Sequence, residues 1–318
     1  MARLFLLLIM SLIALSQSAL SQKRTARNVN MIELERKLVV PGWASINSNY
    51  RSSNASRNSN TPDATCDTIV LTRQSQIDSF KILYPGCTFV AILEINGQGA
   101  GPAITKLDSL HEIISVTQKL KITHTSITSL SALTSLTSIG DTLELEYNFL
   151  QTNIGLNNLT QLGNVIISRL PALTTLAGLS NGMTSIGGVL IDSTGLTSLT
   201  GLESVKKING HLDLRFSPII NLNSISNLDT INGYLRLERL PSFNSIGLNN
   251  LKYVFGFLFA GLDNLTSLSG LSNNLQTTNL GTIWMINTGI TSLSGLNNVT
   301  GCSNFYFWIN PNLTTLNG

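Results

Sequence analysis

The chain has 318 residues, is 42% hydrophobic and only 12% charged, and carries a formal net charge of +3 with three cysteines. This composition excludes a chain that is disordered throughout, and the lack of a basic stripe with interleaved aromatics argues against nucleic acid as a partner. The positive excess is confined to the head, because residues 1–87 carry 10 Lys/Arg against 5 Asp/Glu whereas residues 88–318 carry 10 against 12.

The chain opens like a secretory signal over residues 1–21: Arg3 supplies the basic start, Leu4–Leu15 the apolar run, and Ala19 and Ser21 the small residues of a cleavage site before Gln22. The run is short for a membrane span, and no later stretch reaches 18 apolar residues. An extracellular or cell-surface location is therefore expected. Five Asn-x-Ser/Thr sequons, at Asn54, Asn158, Asn264, Asn298 and Asn312, fit that location as glycosylation sites. Residues 22–65 read as a flexible Ser/Asn-rich linker, interrupted by a short helix over Met31–Val40.

Folded structure is expected from Cys66. Cys66 and Cys87 bracket a segment with Ile77, Phe80 and Leu83 at helical spacing, stopped by Tyr84-Pro85-Gly86. In a secreted chain these two cysteines are expected to bond. Closing a loop of this size stabilises by about 3 kcal/mol in the chain-entropy model. Residues 66–92 then read as a stapled helical cap over the first coil of whatever follows. Cys302 is left over: a buried free thiol inside the last coils, a bond to a downstream segment or a bond to a second chain are the readings it allows.

From about Leu93 to Gly318 one phrase recurs every 22 to 25 residues, with clear copies at Leu173–Leu179, Leu196–Leu202, Leu265–Leu271 and Ile290–Leu296. Each follows a short apolar-polar-apolar segment such as Val189-Leu190-Ile191 or Leu212-Asp213-Leu214. A fixed period of this length marks a solenoid, and the alternating segments mark short strands with one buried face, stacked in parallel. The strand starts are placed at Leu93, Leu120, Leu143, Val165, Val189, Leu212, Leu235, Leu258, Ile283 and Phe305. A glycine precedes most of them by two residues, as at Gly163, Gly187, Gly210, Gly233, Gly256 and Gly281. The fold class is thus mainly β: a right-handed parallel β-solenoid of about ten coils over residues 93–318, behind an N-terminal disulfide-stapled helical cap.

The phrase Leu228-Asp-Thr-Ile-Asn-Gly-Tyr-Leu-Arg-Leu237 resembles the receptor L-domain family, a leucine-rich-repeat-like solenoid of receptor ectodomains and microbial surface proteins. The start, from Cys66 through Pro85-Gly86-Cys87 to Ile92-Leu93-Glu94-Ile95-Asn96-Gly97, is similar to that family's stapled cap. The likeness covers about Cys66–Gly318. Ordinary leucine-rich repeats want asparagine five residues after the strand start. Here that place holds Thr125, Asn148, Leu170, Thr194, Ser217, Leu240, Asp263, Thr288 and Asn310, which favours the L-domain form. The resemblance implies an extracellular module that binds a partner on its solenoid.

Alternation places Lys121, Glu144, Glu146, Asp192, Asp213, Arg215, Arg236 and Glu238 outward, with Asp213 beside Arg236 and Arg215 beside Glu238. Near the end, Phe259, Trp284, Tyr306 and Trp308 are expected to point outward as a contact surface for a protein, peptide or glycan. A two-wide hydroxyl column (Thr128-Ser129, Thr174-Thr175, Thr197-Ser198, Thr266-Ser267, Thr291-Ser292, Thr314-Thr315), broken at Gln151, Asn221 and Asn244, reads as polar corners with turn hydrogen bonds. His111, His124 and His211 fall in different coils, and no nucleophile motif, phosphate loop or Cys/His metal spacing accompanies them. A non-enzymatic recognition or adhesion module without cofactor or metal is expected. The alternative is a structural component of an extracellular matrix or cell wall. Because the sequence stops inside a repeat, self-association through that apolar end is a further expectation.

Overall fold

A computed structural model describes residues 65–179, 182–271, 275–276 and 279–317. The signal-like start, the linker through residue 64, the Met31–Val40 helix and the Asn54 sequon lie outside the described residues. What is described is mainly β: a parallel β-solenoid of about ten turns with few helices. One continuous sheet runs through β1 (Thr65–Leu71), β2 (Phe89–Asn96), β3 (Ser115–Thr123), β4 (Ser138–Glu146) and β5 (Gln161–Leu170). It continues through β7 (Val189–Thr194), β9 (Leu212–Arg215), β10 (Thr230–Glu238), β11 (Tyr253–Leu262), β12 (Asn279–Thr288) and β13 (Gly301–Trp308). The short pieces β6 (Ser185–Ile186) and β8 (Lys207–Ile208) pair beside this path. The sheet therefore begins one strand before Leu93, inside the segment expected to be only a cap.

Register keeps like on like. Leu120 pairs with Leu143 and Ile122 with Leu145, so each inward residue sits on the inward residue of the next coil. The return legs obey a different period. Leu130, Leu133, Leu136 and Ile139 are all buried, and amide bonds from Leu133 to the Leu130 carbonyl (3.0 Å) and from Leu136 to the Leu133 carbonyl (3.2 Å) tie each step. Each such turn advances three residues and returns an aliphatic side chain to the core, which is why the Leu-x-x-Leu spacing recurs in every coil.

One strand departs from the expected register. Phe257, not Leu258, starts the inward series of β11, because it pairs with Leu235 on one side and Ile283 on the other. Phe257 and Phe259 are both 0% exposed, so Phe259 is a core residue and not part of an outer surface. The physical reason is local. Gly233 and Gly281 stand two residues before their strand starts, but Gly256 stands one before, and Phe255 occupies the usual glycine place. The same shift puts Leu262, not Asp263, at the inward position five residues on, where it is fully buried.

Before β2 the chain makes two short helices, α1 (Gln74–Asp78) and α2 (Phe80–Leu83), and Cys66 is bonded to Cys87. The Gln76 carboxamide oxygen accepts from the Thr72 and Arg73 amides (2.7 and 3.1 Å), satisfying donors at the helix start. Ile77 and Phe80 are buried, whereas Leu83, at the end of the second helix, is exposed.

Two ladders lock the corner after the strands. His124, Tyr147, Arg169, Ser193, Phe216, Arg239, Asn287 and Ile309 all have φ between 47° and 59°, one per coil. Such a conformation costs roughly 1–2 kcal/mol for an L-residue. It is offset by amide bonds to the next coil, as from Tyr147 to the Ser168 carbonyl (3.1 Å) and from Arg239 to the Ala260 carbonyl (2.8 Å). Side chains stack along the same column: His124 on Tyr147 at 4.6 Å, the Arg169 guanidinium over Tyr147 at 4.7 Å, and Arg239 over Phe216 at 5.4 Å.

The next residue points inward, and there the missing asparagine ladder is replaced by polar pairs. Asn148 accepts from both the amide and hydroxyl of Thr125 (2.9 Å each) and donates to the Ile122 carbonyl (2.9 Å). Thr194 pairs with Ser217 and Thr288 with Asn310 in the same way, while Leu170, Leu240 and Leu262 fill the coils between.

Candidate functional site

The outer face of the sheet is two columns wide at its centre, and pairing reads them directly. One column runs Glu94, Lys121, Glu144, Ile166, Leu190, Asp213, Arg236, Leu258, Trp284, Tyr306. Its neighbour runs Asn96, Thr123, Glu146, Ser168, Asp192, Arg215, Glu238, Ala260, Ile286, Trp308. Two charged blocks are thus separated by Ile166 and Leu190, and the second gives way to an apolar and aromatic block from Leu258 onward.

The first charged block centres on Glu144, which accepts from Lys121 at 2.6 Å and Lys119 at 3.0 Å. Burial works against its charge, but the two lysines outweigh burial and hold the carboxyl below its ordinary value. Glu146, two residues on, is pushed up by burial and by the Glu144 carboxylate, with weaker opposition from Lys121 and Arg169. The two carboxyls therefore differ in acidity because the lysines clamp only one of them.

The second block centres on Asp213, which is 2% exposed. Arg215 forks onto it, with Nε at 2.7 Å from Oδ1 and Nη2 on Oδ2, and Arg236 forks away to Glu238. The side-by-side register expected from sequence is present, but the tight ion pairs run along each strand. The cross-strand contact from Arg236 to Asp213 is 4.0 Å. Residues i and i+2 share a face, and the long arginine stem spans that step. Burial opposes the Arg215 charge, yet the Asp213 carboxylate, helped by Glu238 and Asp192, holds the guanidinium above its ordinary value.

Of the four aromatics expected outward, the sheet brings three together. Trp284 is half-buried with its ring centroid 5.2 Å from that of Tyr306, and Tyr306 and Trp308 are each 49% exposed. Phe259 is absent from this surface for the register reason given above. Leu258 takes the outward place, covered to 7% exposure between Arg236 and Trp284 in the column.

A row of rings that the sequence reading missed borders the block. His211 and Tyr234 lie 5.7 Å apart at 16°, and Tyr234 meets Phe255 at 4.9 Å and 88°. Glycines make the row possible. A Cβ on Gly233 would stand 2.4 Å from His211 Nδ1, one on Gly256 2.8 Å from Tyr234 Cε1, and one on Gly281 2.4 Å from Phe255 Cε1. The recurring glycine before each strand was the available signal, because it leaves a space that the preceding coil fills.

His211 Nδ1 accepts the Tyr234 amide at 2.8 Å, so this nitrogen carries no proton. Burial lowers its pKa and Asp213 only partly counters this. A folded value below the unfolded one, near 6.5, means the unfolded chain binds the proton more readily. Stability contributed by neutral His211 is present above about pH 6.5 and is lost as pH falls from there through the folded value. The urea midpoint is expected to drop between pH 7.5 and 5.5 by more in the wild type than in H211Q. An imidazole resonance titrating above pH 6.5 overturns this.

The hydroxyl pairs are divided in role. Thr128, Thr174 and Thr197 are exposed, while their followers bond their own turns, as Ser131 N–H to Ser129 Oγ at 3.1 Å and Ala177 N–H to Thr175 Oγ1 at 3.1 Å. Thr152, which donates its amide to the Thr128 carbonyl at 2.9 Å, continues the column, and Gln151 beside it is buried. Asn158, Asn264, Asn298 and Asn312 are all exposed, and Cys302 is a half-buried free thiol packed against the core. Among the described residues no helix is long and apolar enough to cross a membrane, and no three His, Cys, Asp or Glu side chains converge as metal ligands. No protein family, characterised protein or solved structure matches the chain.

Proposed function

We propose that the chain is a non-enzymatic recognition module of the receptor L-domain type, secreted or displayed at a cell surface, that binds a protein, peptide or glycan on its sheet face. The carrying observation is the aromatic block. Trp284, Tyr306 and Trp308 stand together on one face at a point where the charged residues cease. Large exposed aromatics grouped on one rigid surface are what interfaces concentrate. The signal-like start, the Cys66–Cys87 bond and the exposed sequon asparagines support an oxidising, glycosylating compartment. The stapled pair of short helices, with Ile77 and Phe80 buried, supports the cap of the L-domain type.

The test is a triple variant, W284A/Y306A/W308A, with its fold checked by circular dichroism and urea midpoint. Relative to the wild-type chain, it is expected to lose most of the binding to cells of its source, at least ten-fold in half-saturating concentration. Unchanged binding by a folded triple variant removes the aromatic block from the reading. The self-matched charges of the middle coils favour a second reading, a structural matrix or wall component. That reading gains if the wild type binds no cell or glycan but assembles into the wall.

A further inference from the structure

Resting on the reading above, we infer that the ligand of the aromatic block is a neutral saccharide, held in a notch between Phe255 and Trp284. Phe255 places the Cδ1–Cε1–Cζ edge of its ring in the space above Gly281, and half its surface stays exposed. Tyr234, backed by His211, braces it at right angles. Trp284 lies three residues beyond Gly281 on β12, roughly 10 Å along the strand. Between the Phe255 ring, which covers Gly281, and Trp284 the outer face carries only the buried Thr282, which raises no wall. The notch therefore has an aromatic side chain at each end and a low floor, and Tyr306 extends it onto the next coil.

Three features select the ligand class. The nearest charged residues in the outer columns stand beyond Leu258 and Ala260 and are paired within their own strands: Arg236 with Glu238, and Asp213 with Arg215. They leave no uncompensated field to recruit an ionic group. His211, at the far end of the ring row, is held neutral by burial and by the Tyr234 amide. The sheet's backbone donors and acceptors are engaged between coils, so an extended peptide finds no main-chain partners on this face. A sugar ring meets these conditions. Its C–H faces suit the negative faces of aromatic rings, and its hydroxyls carry no charge that would need a counter-ion on this surface.

The experiment is native electrophoresis of the full chain through gels containing hydroxyethylcellulose, glycol chitin or mannan. Retardation of the wild type is expected in at least one gel. F255A should weaken it roughly ten-fold. G281A keeps every aromatic but forces the Phe255 ring to move, and it should weaken binding by a similar factor. F149A, which removes an exposed aromatic of another coil, should leave retardation unchanged and so serves as the control. No retardation in any gel, or F255A and G281A both running as the wild type, overturns the saccharide assignment. If retardation fails while W284A/Y306A/W308A still abolishes cell binding, only the ligand class is wrong. If the wild type binds neither cells nor polysaccharide, the recognition reading falls with it.

Discussion

Replacing Asp213 with alanine is expected to cost about 3 kcal/mol, a large effect for one exchange on the outer face of a sheet. The expectation follows from where the charge sits. Asp213 is almost wholly covered, Arg215 forks onto it and Arg236 stands 4.0 Å from it, with arginine side chains only 20% and 23% exposed. Removing the carboxylate leaves two partly desolvated guanidiniums, of which Arg236 retains Glu238 but Arg215 loses both bonds of its fork. The loss reflects a buried guanidinium deprived of its closest counter-charge more than the worth of the pair, so removing both partners should be milder. Leu190 and Ile166 occupy the same column in the two preceding coils, which shows that the position accepts aliphatics. The double variant D213L/R215M should recover at least half of the single-variant loss, read from urea unfolding midpoints and slopes. Additive losses in the double variant would show that the two residues act independently and would sink the argument.

The repeat made most of the fold legible in the sequence. Alternation in Leu212-Asp213-Leu214 and Leu235-Arg236-Leu237 identifies the inward and outward residues, and stacking like on like fixes the register, as Asp213 against Arg236 shows. Alternation stops marking inward residues where the glycine slips. In Tyr253-Val-Phe-Gly-Phe-Leu-Phe-Ala both odd and even positions are apolar, so alternation does not choose between Phe257 and Leu258, and the displaced Gly256 points to the wrong one. The structure chooses by volume, because Phe257 between Leu235 and Ile283, and Phe259 between Leu237 and Met285, fill the core better than they would sit in water. The left-handed corner was not legible for a different reason. Tyr147, Arg169, Phe216 and Ile309 are not residues that announce positive φ. They adopt it because the amide ladder between coils demands it. The ring row was hidden in the same way, since it depends on contacts between coils and not on spacing within one.

The polar pairs of the inner corner give the second large effect. Asn148 is 0% exposed, and one carboxamide satisfies the Thr125 amide, the Thr125 hydroxyl and the Ile122 carbonyl. Alanine there strands a backbone donor and a backbone acceptor in the core and leaves a void beside them. Each stranded group costs about 1–3 kcal/mol, so N148A should lose about 3–5 kcal/mol in urea unfolding. S217A should lose less, about 1–2 kcal/mol, because one hydroxyl leaves a smaller void and Ser217 mainly links Thr194 to the Arg215 carbonyl. Leucine is no simple remedy, although Leu170 fills the equivalent place one coil on. Leu170 lies within β5 and pairs with Thr194, so strand pairing with the next coil ties that corner. N148L is therefore expected to fill the void yet remain less stable than the wild type by about the cost of the stranded groups. Wild-type stability in N148L would show that packing, not hydrogen bonding, is what the pair supplies. By this logic the three polar pairs fix the path of the corner in their coils, and at Leu170 and Leu262 strand pairing with the next coil does the same.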